Sequence, residues 1–131
     1  MTIKQVLTPV TEVQWLAATD TACDALDHME AYDLTAAPIL DWRGRYVGTL
    51  TAADLRRHLA SGRDRAVALA TPVARIERRA RYEAVTLDAS VDSLVAQAAA
   101  RCFVPVVDDT GKLVGIVGRE RILDGRMPSA A

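Results

Sequence analysis

Two stretches decide the fold: residues 36–55, AAPILDWRGRYVGTLTAADL, and residues 103–122, FVPVVDDTGKLVGIVGRERI. Five residue pairs match at a constant separation of 67 positions: Pro38 and Pro105, Asp41 and Asp108, Gly44 and Gly111, Val47 and Val114, and Gly48 and Gly115. Upstream, Thr8-Pro9-Val10 matches Thr71-Pro72-Val73 at a separation of 63. Matches in the same order at nearly constant separation indicate an internal repeat.

Each copy predicts the same order of elements. An extended segment leads into a helix with one apolar face, and the N-cap candidates of the two helices are Thr21 and Ser90. A proline then opens a short apolar strand, where its missing amide donor is tolerated. A glycine-bearing turn connects this strand to a second one, and a last helix starts near Thr51 or Gly118. The predicted unit is therefore β-α-β-β-α.

Neither copy is long enough to cover both faces of its own sheet, so we expect the two copies to pack together. The predicted fold class is α+β, with two tandem β-α-β-β-α repeats packed about a pseudo-twofold axis. The first repeat is expected to span residues 1–62 and the second residues 63–131. This arrangement places a cleft between the repeats.

Composition restricts the function. The chain has 131 residues, half of them hydrophobic and a quarter charged, as is typical of one globular domain. The net charge of −1 favours neither nucleic acid nor an anionic membrane as a partner. Neither a signal peptide nor an apolar run of membrane-spanning length is recognisable, so we expect a cytoplasmic protein.

The charge is unevenly distributed. Residues 56–81 hold eight arginines against Asp64 and Glu77, a balance of +6, while the rest of the chain is −7. Four of these arginines directly precede the expected first strand of the second repeat: Arg75, Arg78, Arg79 and Arg81. Their sequence position leaves three roles open, namely the rim of a ligand cleft, a docking site for an acidic partner, or a solvated linker.

The sequence does not predict catalysis. Cys23 and Cys102 lie in apolar stretches and are predicted to be reduced core thiols, and His28 and His58 are predicted to lie on the surface. No metal-ligand cluster, Ser-His-Asp order or Walker loop is recognisable. We therefore expect no enzymatic activity and no cofactor.

The complete pattern resembles a known family. A capped helix, an apolar-Pro-Val/Ile-x-Asp strand, a glycine turn and Gly-x-apolar-Thr-x-x-Asp, in this order and repeated, resemble the cystathionine β-synthase (CBS) domain pair. The resemblance implies a regulatory, energy-sensing module that binds an adenosine derivative such as AMP, ADP, ATP, cyclic di-AMP or S-adenosylmethionine. It also implies a homodimer that signals to a partner protein in trans. The alternative is a ligand-free dimerisation or interaction adaptor.

The candidate ligand site centres on Asp54. By the resemblance, Asp54 holds ribose and Thr51 holds phosphate, which agrees with the ability of a carboxylate to accept from two hydroxyls and of helix-start amides to bind anions. Ser/Thr-x-x-Asp/Glu is also an ordinary capping box, but the second repeat has Gly118 and Arg121 at the aligned positions, so the fold does not require the pair. The full set of expected ligand-binding residues is Thr35, Ala37, Thr49, Thr51, Asp54, Tyr82, Glu83, Ala84 and Arg119.

Overall fold

The computed structural model of the chain describes residues 2–61 and 64–126, which form a mixed α+β structure. Its strands are β1 (Thr8–Pro9), β2 (Leu16–Ala17), β3 (Ala36–Leu40), β4 (Tyr46–Thr51), β5 (Phe103–Val107) and β6 (Leu113–Gly118). Its α-helices are α1 (Ile3–Val6), α2 (Ala22–Ala31), α3 (Ala52–Ser61), α4 (Arg65–Ala70), α5 (Val95–Ala98) and α6 (Arg119–Arg126). Short 3₁₀ turns occur at Val10–Glu12, Val73–Arg75 and Val91–Leu94. The expected boundary between the repeats, at residues 62 and 63, lies outside the described residues.

The chain packs as two units. The middle unit is Gln14–Arg81, and the terminal unit joins the residues up to Val13 with those from Tyr82 onward. The sheet of the middle unit has the strand order β2-β3-β4, and that of the terminal unit has the order β1-β6-β5. The α+β class predicted from the sequence is confirmed.

The two predicted hairpins are confirmed, β3 with β4 and β5 with β6. The Asp41 carboxylate accepts hydrogen bonds from the backbone N–H groups of Arg43 and Arg45. In the second repeat, the Asp108 carboxylate accepts equivalent bonds from the backbone N–H groups of Thr110 and Lys112. The repeated aspartates therefore hold the turns, which explains their position in the pattern.

The second repeat departs from its predicted elements in two places. Ser90 caps a 3₁₀ turn that continues into α5, and α5 ends at Ala98, so the predicted helix is short and partly 3₁₀. The predicted first strand is reduced to an isolated parallel bridge between Val85 and Val106. In the first repeat, Thr21 caps α2, as predicted, and the structure shows that it does so in a complete capping box with Asp24.

The two Thr-Pro-Val segments pack in the unit of the other repeat. Thr8-Pro9-Val10 belongs to the first repeat, yet Thr8 and Pro9 pair with β6 of the terminal unit. This close approach requires glycine at position 115, because a Cβ there would lie 2.2 Å from the Thr8 carbonyl oxygen. On the expected boundary Thr71-Pro72-Val73 falls in the second repeat, yet Val73 is fully buried in the core of the middle unit.

Each unit has its own hydrophobic core. Buried residues of β2, β3, β4, α2 and α3 form the core of the middle unit, together with Val73 and Ile76. Buried residues of α1, β5, β6, α5 and α6 form the core of the terminal unit, together with Val91 and Leu94. Within residues 2–61 and 64–126, the structure contains no helix with the length and apolar content needed to span a membrane.

The cysteine and histidine predictions need correction. Both thiols are free, but Cys23 is exposed and Cys102 is only half-buried, so neither is a core residue. Cys23 lies outside the buried stripe of α2, which consists of alanines and a methionine. His28 and His58 are both half-buried, and His58 Nε2 lies 2.9 Å from the Ala68 carbonyl oxygen.

Candidate functional site

The junction between β4 and α3 places Asp54 in the first helical turn, with only 2% of its surface exposed. Its Oδ1 accepts a 2.8 Å bond from Arg57 Nη1 and a 3.2 Å bond from the backbone N–H of Arg79. Its Oδ2 has no hydrogen-bond partner among the described residues. The carboxylate is therefore fixed through one oxygen, while the other oxygen retains its acceptor capacity.

Asp54 is held in its charged form. Burial by itself raises the pKa of this carboxyl, but the bonds from Arg57 and Arg79, a contribution from the Thr51 hydroxyl and the charge of Arg57 outweigh it. The pKa of Asp54 consequently lies below its ordinary value of 3.8. A buried, ionised carboxylate with one unpartnered oxygen is suited to accept hydroxyl donors from a ligand.

Thr51 and Asp54 form only one of the two hydrogen bonds of a capping box. The Thr51 hydroxyl accepts a 3.1 Å bond from the Asp54 backbone N–H, as a helix cap does. The reciprocal bond of a capping box is replaced, because the Asp54 carboxylate bonds Arg57 and Arg79 instead. Helix capping therefore accounts for Thr51 but leaves the Asp54 carboxylate unexplained.

The other expected residues of the middle unit lie on β3 and β4 or just before β3. Ala37 is fully buried opposite Leu50, and the carbonyl of Thr35 accepts the backbone N–H of Ala52 at the start of α3. The buried Thr49 hydroxyl lies 2.6 Å from the Tyr46 hydroxyl. Five of the nine expected residues therefore lie in the middle unit, namely Thr35, Ala37, Thr49, Thr51 and Asp54.

The remaining four expected residues lie in the terminal unit. Tyr82 packs its ring against Phe103, and its hydroxyl accepts the backbone N–H of Cys102. Burial raises the pKa of Tyr82 to about 12. Arg119, at the start of α6, donates from Nε to the Arg101 carbonyl at 3.0 Å. Glu83 and Ala84 are exposed.

A depression of about 330 Å³ lies beside Asp54 within the middle unit. Its lining residues are Asp54, Arg57, His58, Ser61, Arg75, Glu77 and Arg79. Sequence reasoning left Arg57, His58, Ser61 and Glu77 out of the site. For Arg57 a signal was present, because a carboxylate and an arginine three residues apart on a helix are neighbours.

Comparison with known proteins identifies the family. The model of the CBS domain matches the chain twice, at residues 3–61 and 73–127. The chain belongs to the CBS domain family. No curated protein matches this CBS protein in sequence.

Solved structures show the same fold. CbpB in complex with c-di-AMP superposes with a TM-score of 0.83 at 20% identity, covering 95% of this chain and 83% of that one. A CBS domain protein from Streptococcus pneumoniae TIGR4 gives 0.83 at 22% identity, covering 92% and 83%. CBSX2 in complex with AMP gives 0.78 at 20% identity, covering 95% and 94%. At these identities the likeness establishes the fold of the CBS pair.

Proposed function

We propose that the chain is a regulatory CBS pair that binds an adenine nucleotide at Asp54 and transmits the binding state to a partner protein in trans. The observation that carries the proposal is the Asp54 carboxylate, which is buried, charged and fixed through Oδ1 while Oδ2 remains without a partner. A buried polar atom without a partner costs free energy, so a ligand that bonds it gains affinity.

A ribose supplies the complementary chemistry. Its vicinal hydroxyls are donors that a single carboxylate oxygen can accept. The adenine class is supported by the solved CBS pairs, because CbpB was crystallised with c-di-AMP and CBSX2 with AMP. The proposal rests on middle-unit residues alone, and we propose Thr51 as a further ligand contact beside its role in capping.

Regulation requires that the ligand bind two conformations with different affinity, because only differential binding shifts an equilibrium. We propose that the receiver is a separate protein and that the module acts as a homodimer. Size-exclusion chromatography with light scattering tests the dimer directly. A monomeric mass with and without nucleotide would remove the dimer from the proposal.

Nucleotide binding is tested by thermal unfolding and calorimetry with AMP, ADP, ATP and cyclic di-AMP. A ligand at a hundred times its dissociation constant stabilises the protein by about 2.7 kcal/mol. Asp54→Asn keeps the shape and removes the charge, so we expect its affinity to fall at least about tenfold and its stabilisation at the same ligand concentration to drop to about half or less.

Asp27→Asn is the matched control, because Asp27 is exposed on α2 and lies outside the depression. We expect this variant to bind like the wild type. A protein that no adenine nucleotide stabilises would overturn the proposal and favour the ligand-free adaptor. Nucleotide binding that Asp54→Asn leaves unchanged would place the ligand elsewhere.

A further inference from the structure

Both tryptophans of the chain, Trp15 and Trp42, line the same pocket, which has a volume of about 370 Å³. Ala17, Thr19 and Leu40 are among its other lining residues, and we call this feature the tryptophan pocket. The pocket lies within the middle unit, where β3 runs into its turn. It shares no lining residue with the depression at the candidate nucleotide site.

The fold does not require a large apolar side chain at the turn. Trp42 lies between β3 and β4 and is 85% exposed. The turn between β5 and β6 has the same aspartate and glycine, yet Asp109 stands there in place of Trp42. Trp15, directly before β2, is 44% exposed as well. Large aromatic side chains that are exposed side by side are typical of interaction surfaces.

The tryptophan pocket offers uncommitted donors and an unpaired cation at its rim. Neither indole N–H nor the Thr19 hydroxyl forms a hydrogen bond with another described residue. The Arg43 guanidinium lies 4.6 Å from the centroid of the Trp42 ring and forms no ion pair within residues 2–61 and 64–126. The carboxylate of Asp41 is neutralised by Arg45 at 2.9 Å. These charges favour a carbonyl-bearing, acidic ligand and oppose a cationic one.

The edge of β2 is closed to an added strand. The Ala18 N–H donates to the Leu40 carbonyl on β3, so the N–H of Ala17 faces the open edge, where it donates to Asp20 Oδ2 at 2.9 Å. A ligand at this edge must therefore bind through side chains. Aromatic-lined surfaces recognise proline-rich segments in this way, because such segments are already extended and lose little entropy. A small molecule would stay largely in water beside the exposed Trp42 ring.

We propose that the tryptophan pocket docks a proline-rich segment of the partner protein, with an acidic residue of that segment over Arg43. The inference rests on one part of the proposed function, that a separate protein receives the signal, and docking itself needs no nucleotide. The proline rings pack on the two indoles, and carbonyls of the segment accept the indole N–H groups. Asp20 directly follows Thr19 and repels an acid there, so the acidic residue fits the Arg43 side.

Heteronuclear NMR tests docking, because the chain has two tryptophans and therefore two indole N–H signals. The probes are three short synthetic peptides: prolines flanked by glutamates, prolines flanked by lysines, and glycines and serines flanked by glutamates. The first peptide should shift both indole signals, and the other two should bind at least about threefold more weakly.

Two variants assign the contacts. Trp42→Ala, followed on the remaining indole signal, should bind the first peptide about tenfold or more weakly than the wild type does. Arg43→Ala should remove the preference for glutamate over lysine, because it removes the unpaired charge. Tyr32→Ala is the control, because Tyr32 is 55% exposed directly after α2 and lies outside the pocket. It should bind the first peptide like the wild type, and circular dichroism melts verify that all variants fold.

Thermal unfolding with AMP separates docking from nucleotide binding, and Trp42→Ala should be stabilised by AMP as much as the wild type is. If no peptide shifts the indole signals, or if the lysine peptide binds as tightly as the first peptide, docking is overturned while the nucleotide proposal stands or falls on AMP. If light scattering shows that Trp42→Ala turns a dimer into a monomer, a second copy covers the pocket and docking is overturned. If the first peptide binds and no nucleotide does, docking is retained and the nucleotide proposal fails.

Discussion

Replacing Gly115 by alanine tests how tightly the first residues of the chain are held against β6. The added Cβ would meet the Thr8 carbonyl oxygen at 2.2 Å and two atoms of the Leu7 side chain at 3.0 Å. An ordinary contact begins near 3.4 Å, so β1 must move away from β6 by about 1.2 Å. This movement would lengthen a backbone hydrogen bond between the two strands, ordinarily about 2.9 Å, beyond the distance at which such a bond forms.

The expected cost has two parts. Forcing a methyl group into a packed site costs about 1–3 kcal/mol, and each lost hydrogen bond costs about 0.5–1.5 kcal/mol. We therefore expect Gly115→Ala to lower the free energy of unfolding by about 2–4 kcal/mol. Urea denaturation monitored by circular dichroism measures this quantity.

Gly118→Ala is the matched control on the same strand, because a Cβ at position 118 meets no atom within 4 Å. An alanine at an unstrained position changes stability by about 1 kcal/mol at most, and usually favourably. If Gly115→Ala proves as stable as Gly118→Ala, the close approach of Thr8 to β6 does not exist in solution and the reasoning is refuted.

Three further predictions concern charge and packing. Because the pKa of Asp54 lies below 3.8, the ionised carboxylate stabilises the fold above that pH, and this stabilisation is lost in acid. The difference in free energy of unfolding between wild type and Asp54→Asn, measured in urea, should therefore change most below about pH 4. A difference that stays constant with pH would contradict this. Because the pKa of Tyr82 is raised from 10.0 to about 12, its stabilisation is present below pH 10 and is lost as the pH rises through 12. Phenolate absorbance should show one tyrosine titrating near 12 that is missing in Tyr82→Phe. Gly48→Ala should lower the free energy of unfolding in urea by more than about 1 kcal/mol, because Gly48 has a φ of 159° and an added Cβ would come within 3.2 Å of the Arg78 guanidinium. An unchanged free energy of unfolding would contradict this prediction.

Both hairpins could be predicted from the sequence because the residues that determine each hairpin lie within its own repeated stretch. Proline opens an apolar strand, an aspartate holds the turn, and Gly44 and Gly111 adopt the positive φ angles of 80° and 89° that side chains disfavour. The same locality explains why the N-cap at Thr21 was predictable. The family pattern also selected Asp54, although it did not reveal how the carboxylate is held.

What the sequence missed depends on contacts between distant residues. Strand β1 has two residues, one of them a proline, so it has no periodicity to detect. The bond from Arg79 to Asp54 comes from a backbone N–H, which every residue except proline possesses, and so no sequence pattern marks it. Cys23 is different, since the helical spacing of its neighbours Ala22 and Ala25 already placed it off the apolar face.

The packing of each Thr-Pro-Val segment in the unit of the other repeat affects the order in which the protein folds during synthesis. The middle unit is continuous from Gln14 to Arg81, so its residues leave the ribosome as one uninterrupted segment. The terminal unit needs the residues up to Val13 and those from Tyr82 onward, and its first segment must wait until β6 has been made. Pairing across such a separation carries a large loop-closure entropy, whereas a folded middle unit brings the two ends closer. Synthesis from the N-terminus thus favours folding of the middle unit, which carries Asp54, before the terminal unit begins to fold.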